Sequence, residues 1–115
     1  MTTHPDVCRP GENLPAFVLW CIDSERKRQH ALKAEGRFKY TPSEVPAVRG
    51  SAMLSEENGE VARAALAISG FVQEDLTPAD YFKECVQVAA VAMALAEGVI
   101  LFNQNPGGHP LLEAS

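Results

Sequence analysis

The sequence predicts an all-α protein, a helical bundle of three long helices completed by oligomerisation. Two observations carry this. Three stretches, 15–36, 46–70 and 78–102, run in helix-compatible fashion and are separated by segments rich in Gly and Pro. In the third, every residue from Cys85 to Ala96 is apolar except Gln87, and a helix apolar all round has to be covered on most sides. Two other helices cannot easily cover it alone. A second copy of the chain is therefore expected to complete a four-helix bundle or a larger assembly.

Residues 1–14, rich in Pro, Gly, Asn and Asp, read as a mobile N-terminal arm, residues 15–103 as one domain and residues 104–115 as an irregular tail. Pro15 is tolerable as a first helical residue, and the run PAFVLWCIDSERKRQHALKAEG meets no breaker until Gly36, which suits a C-cap. Phe38 to Ser43 is a connector. The second helix is expected to start near Pro46, keeps helical spacing through Val48, Ala52, Met53, Val61, Ala65 and Ile68, and stops at Gly70. Gly50 and Gly59 each cost it about 1 kcal/mol relative to Ala, which predicts close packing or ligand approach at those two points. Thr77-Pro78-Ala79-Asp80 then supplies an N-cap, a Pro at the first helical position and an acid in the first turn, opening the third helix.

A chain of 115 residues, 46% hydrophobic and 22% charged, is that of a soluble globular domain. Its net charge of −5 argues against a nucleic-acid polymer as partner, because phosphate backbones select basic surfaces. Cys8, Cys21 and Cys85 are odd in number and irregularly spaced, so they form no disulfide framework, and His4, His30 and His109 do not pair with them at convincing zinc spacing. The first residues lack a basic region followed by an apolar run. The expected location is the cytoplasm, with reduced thiols. Cys85–Ala96 is too short to span a bilayer and is flanked by Glu84 and Glu97, so no membrane partner is expected.

The stretch SEENGEVARAAL gathers Glu56, Glu57 and Glu60. At about 100° per residue, Glu60 lies about 40° from Glu56 and about 60° from Glu57 around a helix, so the three carboxylates share a face and repel one another. Either a solvated acidic face or a cation relieves that repulsion. The third helix offers Glu84 and Gln87, three residues apart inside an otherwise apolar segment, where an unpaired polar group costs about 2 kcal/mol or more. Antiparallel packing would set the two groups face to face. Oxygen ligands projecting from facing helices of a bundle form hard-cation sites, and an all-oxygen set favours Mg²⁺ or Mn²⁺ over zinc.

These residues resemble a family, the MazG-like all-α nucleoside triphosphate pyrophosphohydrolases of the small bacterial and phage type, whose hallmark is EExxE on one helix and ExxD on the next. EENGE, Glu56 to Glu60, matches the first motif in full, and ECVQ, Glu84 to Gln87, matches the second except at its last position. SERKRQHALKAEG in the first helix is similar to the ER-x-x-Q segment that precedes the motif in those proteins. The likeness spans roughly residues 24–98. It implies Mg²⁺-dependent hydrolysis of a (deoxy)nucleoside triphosphate to the monophosphate and pyrophosphate by a homo-oligomer. Carried over, Glu57, Glu60 and Glu84 are metal ligands, Glu56 orients a water or completes the metal shell, and Gln87 stands where the family has aspartate, with an oxygen that can coordinate but brings no charge.

Six of the ten Lys and Arg residues fall in the first helix and its exit. Arg26, Gln29 and Lys33, at spacings of three and four, are the expected substrate-binding set, although a solvated helix end with cations near its C-terminus explains any single one equally well. Trp20, Phe38 and Tyr40 are aromatics that serve either as core or for stacking a base. A different class of function, a catalytically weak relative that binds nucleotide or a helical oligomeric interaction protein, is compatible with the same pattern.

Overall fold

The computed structural model describes residues 13–37 and 40–112, and among them the secondary structure is entirely helical. Three α-helices, α1 (Leu14–Ala34), α2 (Ala47–Ile68) and α3 (Pro78–Gln104), are joined by a connector that contains a 3₁₀ turn, Pro42–Glu44. Most of the N-terminal arm, His4, Cys8 and Phe38 lie outside the described residues.

Local chemistry sets most of the helix ends. Both α1 and α2 finish in the same way. Gly36 (φ 78°) and Gly70 (φ 81°) take the left-handed conformation. Their N–H groups bond Lys33 O and Ala67 O, and the next N–H groups, of Arg37 and Phe71, bond Leu32 O and Leu66 O. This double closure satisfies carbonyls that a bare helix end leaves open, and it favours glycine at its left-handed position. At the start of α3, Asp80 N–H donates to Thr77 Oγ1 (3.3 Å) while Thr77 N–H donates to Asp80 Oδ2 (2.7 Å), a reciprocal capping box. The start of α2 has no side-chain cap, and the Ala47 N–H is satisfied by Leu111 O at 2.7 Å.

α3 is the hub. Both α1 and α2 pack on it and not on each other. On α1, Ile22 with Val18 and Cys21 meets Val86, Ala89 and Ala90; Phe17 stacks on Phe82, and Arg26 pairs with Glu97, so α1 runs parallel to α3. α2 runs antiparallel, with Gly50 against Leu95 and Glu60 beside Glu84. The buried positions Val86, Ala90, Ala94 and Gly98 recur every four residues and form one stripe of mostly small side chains down α3. A Cβ at Gly50 would collide with the Leu95 side chain, and one at Gly98 would come within 3.1 Å of Ser43 O. Gly50 is thus a close-packing point as expected. At Gly59 a Cβ would meet nothing, so the expectation of close packing there is corrected.

The core is thin, since among the described residues no large side chain is fully buried. Off the stripe, Met93, Val99 and Ile100 are 41%, 46% and 58% exposed. By length and composition α3 is apolar enough to cross a membrane. Cys85–Ala96 understates it, because the apolar character continues through Val99, Ile100, Leu101 and Phe102.

Candidate metal centre

Because α1 and α2 both pack on α3 with no close backbone approach to each other, a groove opens between them, lined by side chains from all three helices. Glu57 and Glu60 come from successive turns of α2, and Glu84 and Gln87 from successive turns of α3. Glu57, Glu60 and Glu84 each offer a carboxylate oxygen, and these atoms all lie within 4.8 Å of one another. The antiparallel register that brings Glu60 to Glu84 sets Gln87 opposite Glu57, and both line a single cavity of about 360 Å³.

The electrostatics are those of crowded acids. Burial pushes the Glu57 carboxyl above its usual range, and the charges of Glu60, Glu84, Glu56 and Glu25 push it further. Glu84 is raised by burial, then by a hydrogen bond with Glu60 and its charge, with Lys83 opposing. Glu57 Oε2 and Glu84 Oε2 are buried without a hydrogen-bond partner, and an unpaired buried oxygen carries a desolvation cost of about 1–3 kcal/mol. Two such oxygens beside a third carboxylate, with no thiolate or imidazole in the group, suit a hard divalent cation such as Mg²⁺ or Mn²⁺. An ion held there would offset both the repulsion and the unpaired acceptors.

The other expected residues divide. Glu56 is on the exposed side of α2. Gln29 lines the cavity and donates to Glu25 Oε2 at 3.1 Å. Arg26 is held by both oxygens of Glu97, through Nη1 at 2.6 Å and through Nη2. Lys33 Nζ lies 2.6 Å from each oxygen of Glu44. Partial burial pushes Glu44 up, but the bonds from Lys33 and from the Thr41 hydroxyl and N–H outweigh it and bring its pKa to about 2. Arg63, three residues beyond Glu60, pairs with Glu74 across the α2–α3 loop at 2.9 Å.

Neither Arg26 nor Lys33 lines the cavity; Arg28 and Arg37 do. Arg28 is anchored by Glu25, Nε to Oε1 at 2.8 Å and Nη2 to Oε2 at 2.6 Å. Glu25 is the main stabiliser of the charged guanidinium, and Glu57 adds to it. Glu25 was legible only as part of a charged run. Its spacing of three to Arg28 and four to Gln29 was the available signal. The apolar wall of the cavity is formed by Pro42, Val45, Met53 and Val91, with Tyr40 also in the lining. A second cavity of about 240 Å³ also reaches the cluster, lined by Glu60, Glu84, Asp80, Lys83 and Arg63 among others.

Comparison of the chain with protein-family models, with curated proteins and with solved structures found no match.

Proposed function

We propose that the chain hydrolyses a nucleoside or deoxynucleoside triphosphate to the monophosphate and pyrophosphate, using Mg²⁺ or Mn²⁺. The observation that carries the reading is the convergence of Glu57, Glu60 and Glu84 from facing helices, two of them with a buried unpartnered oxygen, beside a cavity lined by Arg28 and Arg37. The reaction class comes from the likeness of EENGE and ECVQ to the MazG-like motifs.

A bound divalent ion would supply neutralisation of phosphate charge and ease formation of a hydroxide-like nucleophile. Glu57, Glu60 and Glu84 would hold it, and Gln87 would add a neutral amide oxygen. Arg28 has Nε and Nη2 occupied by Glu25 and retains Nη1 for a phosphate oxygen. Arg37 and Gln29 complete the phosphate side in place of Arg26 and Lys33, which are committed to Glu97 and Glu44. The proton of the attacking water passes to solvent, because Glu56 stands on the exposed side of α2 and lines neither cavity. The water oxygen bonds to the α-phosphorus, the bond from that phosphorus to the bridging oxygen breaks, and pyrophosphate leaves with the electron pair. The wall of Pro42, Val45 and Met53 excludes water from the base and sugar.

The same proposal has the protein as a cytoplasmic homo-oligomer, dimer or tetramer, with no nucleic-acid polymer or membrane as partner. Its support is the exposed apolar surface of α3, where Met93 and Ile100, seven residues apart, share a face and Val99 is exposed about 100° further round the helix.

One observation favours a second reading, a metal-dependent nucleotide-binding protein with little turnover. Gln87 leaves the fourth position without charge and unable to act as a base. Pyrophosphate release from a panel of standard and modified triphosphates, with Mg²⁺ and with chelator, decides between them. Metal-dependent release supports hydrolysis, binding without release supports the second reading, and neither sinks both.

A further inference from the structure

The C-terminal segment after α3 folds back over the connector between α1 and α2. His109 Nε2 donates to Ser43 O at 2.6 Å, and Leu111 O accepts the Ala47 N–H at 2.7 Å. The His109 ring is seated edge-on to Phe102 at 6.3 Å between centroids. Ser43 O itself lies so near α3 that a Cβ at Gly98 would be 3.1 Å from it, and that Cβ would be 3.5 Å from the His109 ring. Ser43 is thereby held between α3 and the tail. Its neighbours Pro42 and Val45 are buried and form the apolar wall of the cavity that also contains Glu57 and Gln87. The wall therefore owes its position to a residue outside the cavity: His109 does not line it.

We propose that the tail is a strap and that His109 is a positioning residue, fixing through Ser43 the wall against which the base and sugar of the substrate pack. The strap rests on the geometry above, and the positioning role rests also on the nucleotide reading. The strap acts on the wall and not on the acidic cluster, so its loss separates two affinities. A nucleotide that packs against the wall loses binding, while an ion held by Glu57, Glu60 and Glu84 does not.

The test uses the full chain as wild type, His109→Ala and His109→Gln, the last keeping an N–H donor near the position of Nε2. Amide hydrogen exchange, Mn²⁺ affinity and steady-state hydrolysis of the four standard deoxynucleoside triphosphates are measured on each. In His109→Ala, exchange in residues 41–45 is expected to rise on the order of tenfold while that in the middle of α2 and α3 stays unchanged. KM is expected to rise about fivefold with kcat and Mn²⁺ affinity unchanged. His109→Gln should recover most of both effects. Unchanged exchange in residues 41–45 overturns the strap. Faster exchange with unchanged KM, or with an equal loss of Mn²⁺ affinity, overturns the positioning role. A wild-type protein that hydrolyses none of the four removes the catalytic reading; calorimetric binding of the same nucleotides with Mn²⁺ then replaces KM, and the exchange result still decides the strap.

Discussion

Glu57 and Glu84 carry raised carboxyl pKa values in the metal-free protein, caused first by burial and then by neighbouring carboxylates. A carboxyl raised on folding binds its proton more tightly in the native state. The stability it contributes is complete below the unfolded value of about 4.3 and is lost as pH rises through the folded value. Glu44 behaves oppositely. Its folded pKa of about 2 makes its contribution present above the unfolded value and lost as pH falls towards 2. In chelator the melting temperature is therefore expected to fall on both sides of a mildly acidic maximum, as followed by circular dichroism. Mg²⁺ should remove the loss on the neutral side, because the ion binds the ionised carboxylates. Glu57→Gln and Glu84→Gln should flatten that side in chelator and lower activity by orders of magnitude, with helicity retained; loss of helicity would instead mark these residues as structural. At Gln87, substitution by Asp adds charge opposite Glu57. If Gln87 belongs to the centre, Mn²⁺ titration gives tighter binding, whereas unchanged or weaker affinity in a destabilised protein removes it from the ligand set.

At the scale of the helices, the glycines separate by what surrounds them. Gly59 sits within α2 with open space where a Cβ would go, so it costs helix propensity and gains no packing. Gly59→Ala is expected to stabilise the fold by about 0.5–1 kcal/mol in denaturant unfolding. Gly98→Ala is expected to destabilise it, because the added methyl meets the Ser43 carbonyl, a backbone atom held between α3 and the tail. Equal effects at the two positions would refute this packing account. The helix ends were readable because the Gly36 and Gly70 turns and the Thr77–Asp80 box are local, each closed by residues within a few positions. The 3₁₀ turn at Pro42–Glu44 and the cap that Leu111 gives α2 were not, since the latter pairs residues from opposite parts of the chain.

For the whole molecule, the deciding feature is how little one copy buries. Among the described residues the buried hydrophobics are mainly alanines and valines with Ile22, while Leu19, Val48, Phe71 and Ile100 are all more than half exposed. Large apolar surface left in water favours association. Light scattering at micromolar concentration is expected to give a mass of at least twice 12.4 kDa in detergent-free buffer. A monodisperse single copy would overturn the homo-oligomer, and recovery only in detergent would favour a membrane-associated α3 over the proposed cytoplasmic assembly.

Helix positions and the gathering of acids on two polar turns follow from the order of residues, because periodicity, capping and like-charge repulsion act over one or two turns, whereas the antiparallel packing that sets those turns face to face is tertiary. Which cations face those acids does not. Arg26, Arg28 and Lys33 share one short segment of α1, and only the packing of α1 along α3 commits Arg26 to Glu97 and leaves Arg28 in the cavity. The folded connector likewise commits Lys33 to Glu44, and the returning tail anchors His109 on Ser43. These partners lie 71, 11 and 66 positions apart in the chain, and their pairing depends on how the helices are set against one another in space.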